Sequence, residues 1–260
     1  MLILPPTANL AAGNCANRAA ALAFGAVPLP AASVRLSMRL FVRCLAILSA
    51  LLSSSFAHAA PANRPTPGYI RVAIETSAGT IIVALDTRRA PRTSANFLTY
   101  VDDGRFDGVT FYRAARRKSD PKQGLIQGGI DMDVRRSLPP VVHEPTSQTG
   151  IRHLDATLSM ARPNRTNSAM GNFFMTVGAT PTMDAREGSI GYAAFGHVVG
   201  GMAVVKKILA VPTCCGTGPM RGQMIVKPVQ ILRARRMDGT AKPTRGVKPW
   251  LIGLKRPTVR

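Results

Sequence analysis

A chain of 260 residues has room for one large domain or two small ones. An apolar content of 46% supplies a core and excludes a chain too polar to fold, although aromatics make up only 5%. The net charge of +21 is extreme and admits an anionic partner, either nucleic acid or an anionic membrane surface, subject to the compartment in which the chain works.

Residues 1–37 are rich in Ala and Pro, carry no acid and show no period. They are expected to be an over-extended, disordered N-terminus, with Met38 as the initiator. From Met38 the chain reads MRLFVRCLAILSALLSSSFAHAAPANRP. Arg39 and Arg43 form a basic start, Cys44 to Leu52 is an apolar run too short to span a bilayer, and Ala57-His58-Ala59 is a small-x-small cleavage site. A buried core helix would not need these three features in this order; a secretory signal peptide over 38–59 does. The expected compartment is therefore periplasmic or secreted, where nucleic acid is a poor candidate partner. Losing Arg18, Arg35, Arg39 and Arg43 with the leader reduces the charge from +21 to +17. Cys15 and Cys44 go as well, leaving adjacent Cys214 and Cys215. This pair is neither a disulfide framework nor a CxxC metal site, and is expected to be two loop thiols or a weak redox-sensitive pair.

After a linker at 60–68, YIRVAIETSAGTIIVALD predicts a β-hairpin turning at Ser77-Ala78-Gly79, with Val72, Ile74, Ile82 and Ala84 on one face. Pro91 suits a first helical turn. Ala90, Ser94, Phe97, Leu98 and Val101 then fall on a single helical face, and Gly104 can end the helix. GVTFYRAA reads as a strand, and GLIQGG follows a very basic loop. Strand-like runs recur at 156–162, 172–178 and 192–199. GGMAVVKKILA is a short helix with Met202, Val205, Ile208 and Leu209 on one face, stopped by Val211-Pro212. KPVQILRARR is a last strand. Short strands at this spacing with two helices predict a mainly β fold, a closed or nearly closed antiparallel barrel. The acid-free segment from Thr240 onward is expected to be a basic tail carrying the chain's one tryptophan, Trp250.

The chemistry open to these residues is narrow. His143, His153 and His197 stand at no zinc-ligand spacing and read as surface or core-edge histidines. No G-x-S-x-G or phosphate-cradling glycine loop is present, and acids are scarce. Nothing flags a nucleophile, although the members of a Ser-His-Asp set can be distant in the chain. An arginine-centred site, with Arg113 at the end of an apolar strand, is what remains.

VTFYRAA…GLIQGGID, ATLSMAR, GNFFMTVG, TPTMDAREGSIGYAAFGHVVGGMAVVKKI and KPVQIL occur in this order. As an ordered set over about 69–236 they resemble the cyclophilin-type peptidyl-prolyl cis-trans isomerases, especially the periplasmic bacterial branch. The resemblance implies an eight-stranded antiparallel cyclophilin-like barrel capped by two α-helices over 69–238, a tail over 239–260, and no metal or organic cofactor. It implies that Arg113 donates to the nitrogen of a twisting X-Pro amide and that Gln127 holds the guanidinium. Phe111, Leu125, Phe174 and Met183 would line the substrate pocket. Asn172, Tyr192 and the backbone of Arg162 would bind the peptide on either side. The partners would be unfolded or exposed proline-containing polypeptides, with the tail from Arg245 resting on an anionic envelope surface and Trp250 at that interface.

The chain departs from the family pattern in the loop. The path from Arg113 to Gln127 is about six residues longer than in many relatives and includes RRKSDPK. Gly124 stands where a pocket phenylalanine is expected, a contact worth about 1.5–3 kcal/mol of burial. Thr182 replaces a frequent aromatic, and Tyr192 a frequent histidine. These changes predict a weakened isomerase, with a chaperone-like binding module of the same fold as the alternative.

Overall fold

The computed structural model describes residues 66–252. Residues 1–37, the expected signal peptide at 38–59, most of the linker and the last eight residues lie outside the described residues.

The expected hairpin is present as β1 (Tyr69–Thr76) and β2 (Gly79–Asp86), with Thr76 opposite Gly79. Its faces differ from the expectation. Val72 pairs with Val83 and Ile74 with Ile81, and these four are fully buried, whereas Ile82 and Ala84 pair with Ala73 and Arg71. The turn holds two residues, Ser77 and Ala78, and counting Gly79 as a third shifts β2 by one and inverts its faces.

β3 (Thr110–Arg116), β4 (Gly124–Gly129), β5 (Thr157–Met160), β6 (Asn172–Val177), β7 (Ala194–Gly200) and β9 (Met224–Arg236) follow, with a two-residue strand β8 (Thr213–Cys214) laid against β9. All pairings are antiparallel, in the order β1-β2-β7-β5-β6-β4-β3-β9, and β1 pairs back to β9. The eight-stranded barrel is therefore closed. The length of β9 makes closure feasible: its first half pairs with β3 and its last residues with β1.

Helix α1 (Pro91–Asp102) covers one part of the barrel with its apolar face. Phe97 meets Phe106, Phe173 and Phe195 at ring-centroid distances of 5.0, 5.3 and 5.3 Å, and Tyr100 stacks on Phe106 at 5.2 Å. The few aromatics are thus concentrated where one helix meets two strands. Gly104, at φ +69°, lets the chain reverse so that the Arg105 N–H reaches the Tyr100 carbonyl at 2.9 Å. α1 has no capping side chain of its own at Ala90. Glu144, 51 residues beyond Thr93, supplies it: its carboxylate accepts from the Arg92 N–H (3.1 Å), the Thr93 N–H (2.7 Å) and the Thr93 hydroxyl (2.6 Å). Glu144→Ala leaves these donors unpaired around a buried Thr93, which should cost about 2 kcal/mol. A melting midpoint lower by about 4–8 °C is the expected reading in differential scanning calorimetry.

α2 (Thr146–Thr149) is a single turn that the pattern did not predict. α3 (Met202–Leu209) buries Val205, Ile208 and Leu209, as its periodicity requires. Its C-terminal carbonyls are met by Arg116, whose Nη1 donates to the Leu209 and Val211 carbonyls at 2.9 Å each. Cys214 and Cys215, expected as two loop thiols or a weak redox-sensitive pair, are joined to each other.

The described part of the C-terminal segment, up to Ile252, is not a free tail. The Thr244 N–H and hydroxyl donate to the Asp103 carboxylate at 2.7 and 2.8 Å, and the Lys242 N–H donates to Asp102 at 2.9 Å. Trp250, expected at a lipid interface, is 4% exposed and lies 4.5 Å from the Arg105 guanidinium. A charge pattern shows where acids are lacking, but not that two acids at the end of α1 bind the backbone of such a segment. Among the described residues, no helix is long and apolar enough to cross a membrane.

Candidate active site

The site begins with an irregularity in β3. Phe111 pairs with Gly128 and Arg113 with Gln127, so Tyr112 and Arg113 together oppose one residue of β4. This bulge reverses the strand's alternation. Phe111, expected in the substrate pocket, therefore points into the barrel, fully buried and edge-on to Phe173 at 5.8 Å. Arg113 emerges on the opposite side, beside Gln127.

There the guanidinium is fixed by two neutral amides. Nη1 donates to Gln127 Oε1 at 2.8 Å, while Nε and Nη2 both donate to Gln223 Oε1 at 2.9 and 2.7 Å. Gln127 is held in turn, donating from Nε2 to the Tyr112 hydroxyl at 2.8 Å. Burial pushes the Tyr112 phenol up to about 12, so this hydroxyl stays protonated. Burial also lowers the Arg113 pKa, partly opposed by Tyr112 and Tyr192. An arginine stays charged nonetheless. Three of its five N–H groups are engaged, leaving one on each terminal nitrogen for a ligand. The charge is oriented without being neutralised.

Opposite it is an apolar wall built from a small cluster separate from the barrel core: Leu125 of β4, Phe174 of β6 and Ala161, with Met183, Tyr192 and Ala115 packed against them. The Phe174 and Tyr192 rings meet edge-on at 5.5 Å. The groove encloses about 530 Å³. Arg113, Leu125, Gln127, Arg162, Asn172, Phe174, Met183 and Tyr192 all line it, and of the nine expected site residues only Phe111 does not. The Arg162 backbone N–H and C=O form no hydrogen bond with another described residue, so both can pair with a peptide. Asn172 is less free than expected: its amide accepts from the Asp131 N–H at 2.7 Å and donates to the Asp131 carbonyl at 2.8 Å. It holds the groove's margin.

The long loop does not fill the place of the missing aromatic. It extends the β3–β4 hairpin away from the groove, where Arg117 Nη1 donates to Gln123 Oε1 at 2.6 Å and Arg116 reaches α3. Two further apolar side chains line the groove, Met220 in the turn before β9 and Met224 at its first residue. Sequence reading missed these two and Gln223 because β9 was expected to begin at Lys227.

Behind the wall lies a buried polar string. His153 is fully buried; its Nδ1 is 2.7 Å from Asp184 Oδ1, its Nε2 is 2.9 Å from Ser159 Oγ, and its ring stacks on Phe174 at 5.8 Å. His153 is thus a core residue, not the surface or core-edge residue expected. The three residue types resemble a hydrolytic triad, but the Ser159 hydroxyl is buried and faces the imidazole, out of reach of a substrate. The string props Phe174 and ties it to the Met183 segment. Burial pushes the His153 pKa below its ordinary value against the pull of Asp184. The unfolded chain therefore binds the proton more readily, and stability should fall as pH drops below about 6.5, the unfolded value. His197 acts in the same sense. Chemical denaturation of wild type and His153→Gln at pH 7.5 and 5.5 isolates the His153 share; equal losses in both proteins would refute it.

Residues 71–236 match the family described as cyclophilin type peptidyl-prolyl cis-trans isomerase/CLD. Peptidyl-prolyl cis-trans isomerase A of Dickeya dadantii (strain 3937) is 35% identical over 193 residues, covering 73% of this chain and 94% of its own. Peptidyl-prolyl cis-trans isomerase B of Escherichia coli (strain K12) is 31% identical over 148 residues, covering 55% of this chain and 85% of its own. A crystal structure of a cyclophilin type isomerase from Cryptosporidium parvum, in the presence of the dipeptide Ala-Pro, shares the fold at a TM-score of 0.51 and 18% identity, over 64% of this chain and 97% of that one.

Proposed function

The chain belongs to the cyclophilin-type peptidyl-prolyl cis-trans isomerase family and is an isomerase of X-Pro peptide bonds; from that premise we propose that Arg113 is the group that lowers the rotational barrier, acting on proline-containing segments of unfolded or exposed polypeptides. The barrier is amide resonance, about 18–20 kcal/mol, and no covalent step is required. As the amide twists, its nitrogen becomes pyramidal and gains a lone pair. A guanidinium N–H can donate to that lone pair in the twisted state, while the planar amide offers it nothing comparable.

The observation that carries this reading is a guanidinium held by Gln127 and Gln223 with two N–H groups to spare, opposite an apolar wall. The wall takes the proline ring and excludes water; Tyr192 and the Arg162 backbone hold the chain on either side. The test is cis–trans exchange of an Xaa-Pro tetrapeptide followed by NMR, together with proline-limited refolding of a protein substrate. Binding without acceleration would favour a chaperone-like module instead.

We place the protein in the periplasm or outside the cell, after removal of residues 38–59. Mass spectrometry of the mature protein should find a start at Ala60, and a peptide from residues 1–37 would argue against Met38 as initiator. The mature charge of +17 suits loose contact with an anionic envelope surface. Salt-reversible binding to anionic vesicles would support this.

A further inference from the structure

The margin of the groove beyond Asp131 carries two apolar side chains with no cover. Met132 is 88% and Val134 81% exposed, and both line the groove. Their backbone is held from two sides. In front, Asn172 grips Asp131, which sits at φ +52°. Behind, Arg105 Nη1 donates to the Arg136 carbonyl at 3.0 Å, and Arg136 Nη1 donates back to the Arg105 and Asp107 carbonyls at 2.8 Å each. These two arginines lie against Trp250, at 4.5 and 5.8 Å from its ring. Arg105 is also paired with Asp103 at 2.8 Å, the carboxylate that Thr244 binds. A continuous set of contacts thus runs from the C-terminal segment, through Asp103 and Arg105, to the backbone behind Met132 and Val134. The C-terminal segment lies beyond the family match, which ends at residue 236.

We propose that Met132 and Val134 form an apolar lip that takes side chains of the substrate polypeptide flanking the X-Pro pair, and that Trp250 is a positioning residue that keeps this lip in place. The occupant follows from continuity: the lip is the same groove prolonged, so a chain lying across Arg113 must pass over it. Apolar side chains held in water gain by covering one another, and a lip already fixed loses little conformational freedom when they do. Trp250 touches no substrate and acts through Arg105 and Arg136. The proposal rests on the isomerase function of the groove, and it selects long substrates with apolar flanks over minimal ones.

The experiment compares kcat/KM for an Xaa-Pro tetrapeptide with that for a peptide of about twelve residues carrying Leu and Phe on both sides of the same X-Pro pair. In wild type the long peptide should be preferred. Met132→Ser/Val134→Ser, both on the surface, should cut that preference at least threefold, through KM and not kcat. Trp250→Ala should cut it similarly, and Trp250→Phe, which keeps a ring over Arg105, should restore it. Thr244→Val serves as the milder variant should Trp250→Ala unfold. An unchanged preference in the double serine variant overturns the lip; an unchanged preference in Trp250→Ala and Thr244→Val overturns the brace. An equal fall of kcat for both peptides marks Trp250 as merely structural and overturns its positioning role. A wild type that fails to turn over the tetrapeptide refutes the catalytic role of the groove instead, and the lip is then read from the affinity of the long peptide.

Discussion

Arg113→Ala should slow catalysed cis–trans exchange of an Xaa-Pro tetrapeptide by about 10- to 100-fold while the protein keeps its fold. The magnitude follows from one charge-assisted hydrogen bond, worth about 1.5–3 kcal/mol, with about 1.4 kcal/mol for each factor of ten. It cannot be the whole effect. Raising a rate from about 0.01 to about 1000 per second takes roughly 7 kcal/mol. The remainder must come from the apolar wall of Leu125, Phe174 and Met183, through desolvation and orientation of the bound amide. The fold should survive because Arg113 and its partners, Gln127 and Gln223, are all only partly buried, and Arg113 and Gln127 line a groove that water can enter. Arg113→Lys supplies the control: it keeps a charge but loses the fork that spans both glutamines, so its activity should fall between those of wild type and the alanine variant. Catalysis by Arg113→Ala at the wild-type rate, with an unchanged melting midpoint, would remove the guanidinium from the mechanism.

Restoring an aromatic at Gly124 should damage the protein and not improve it. Family resemblance suggests the opposite, since a phenylalanine there would complete the pocket. The backbone forbids it. Gly124 has φ +148°, and a Cβ at this position would meet the Ala115 carbonyl oxygen at about 2.0 Å. Both Gly124→Ala and Gly124→Phe should therefore lose on the order of 3 kcal/mol, because the clash is with the first side-chain carbon and does not depend on the ring. For a domain of this size that is a melting midpoint lower by about 6–12 °C. Neither variant should gain kcat/KM. A Gly124→Phe protein as stable as wild type and faster would mean that the end of the β3–β4 hairpin can shift to open a phenylalanine pocket.

The ordered motifs carried the barrel, because strand periodicity and turn residues are local properties, and eight of the nine site residues implied by the family resemblance do line the groove. What they did not carry depends on counting across turns or on contacts between distant segments. One residue too many in the Ser77–Gly79 turn exchanged the faces of β2, and the bulge at Tyr112 did the same for Phe111. Both are single-residue shifts in a period of two, and composition is blind to them. Gln223 could have been found: two amides are a natural way to hold a guanidinium, and a glutamine stands four residues before Lys227. His153 could not, since nothing local shows that Asp184, 31 residues away, would meet it in the core. Trp250 was misplaced for a different reason. An acid-free stretch looks solvated until the acids that bind it, on another element, are known.

Closure of the sheet has a consequence for a protein that handles other chains before they fold. Unfolded polypeptides present unpaired backbone, and any free sheet edge is a template on which they can add as a further strand. Here the pairing of β1 with β9 leaves the ring without such an edge. A client would meet instead the side chains of the groove and the open backbone N–H and C=O of Arg162. Capture by a long ladder of main-chain bonds on the ring is therefore disfavoured. The ring that carries Arg113 thus offers a passing chain no long row of unpaired strand backbone to join.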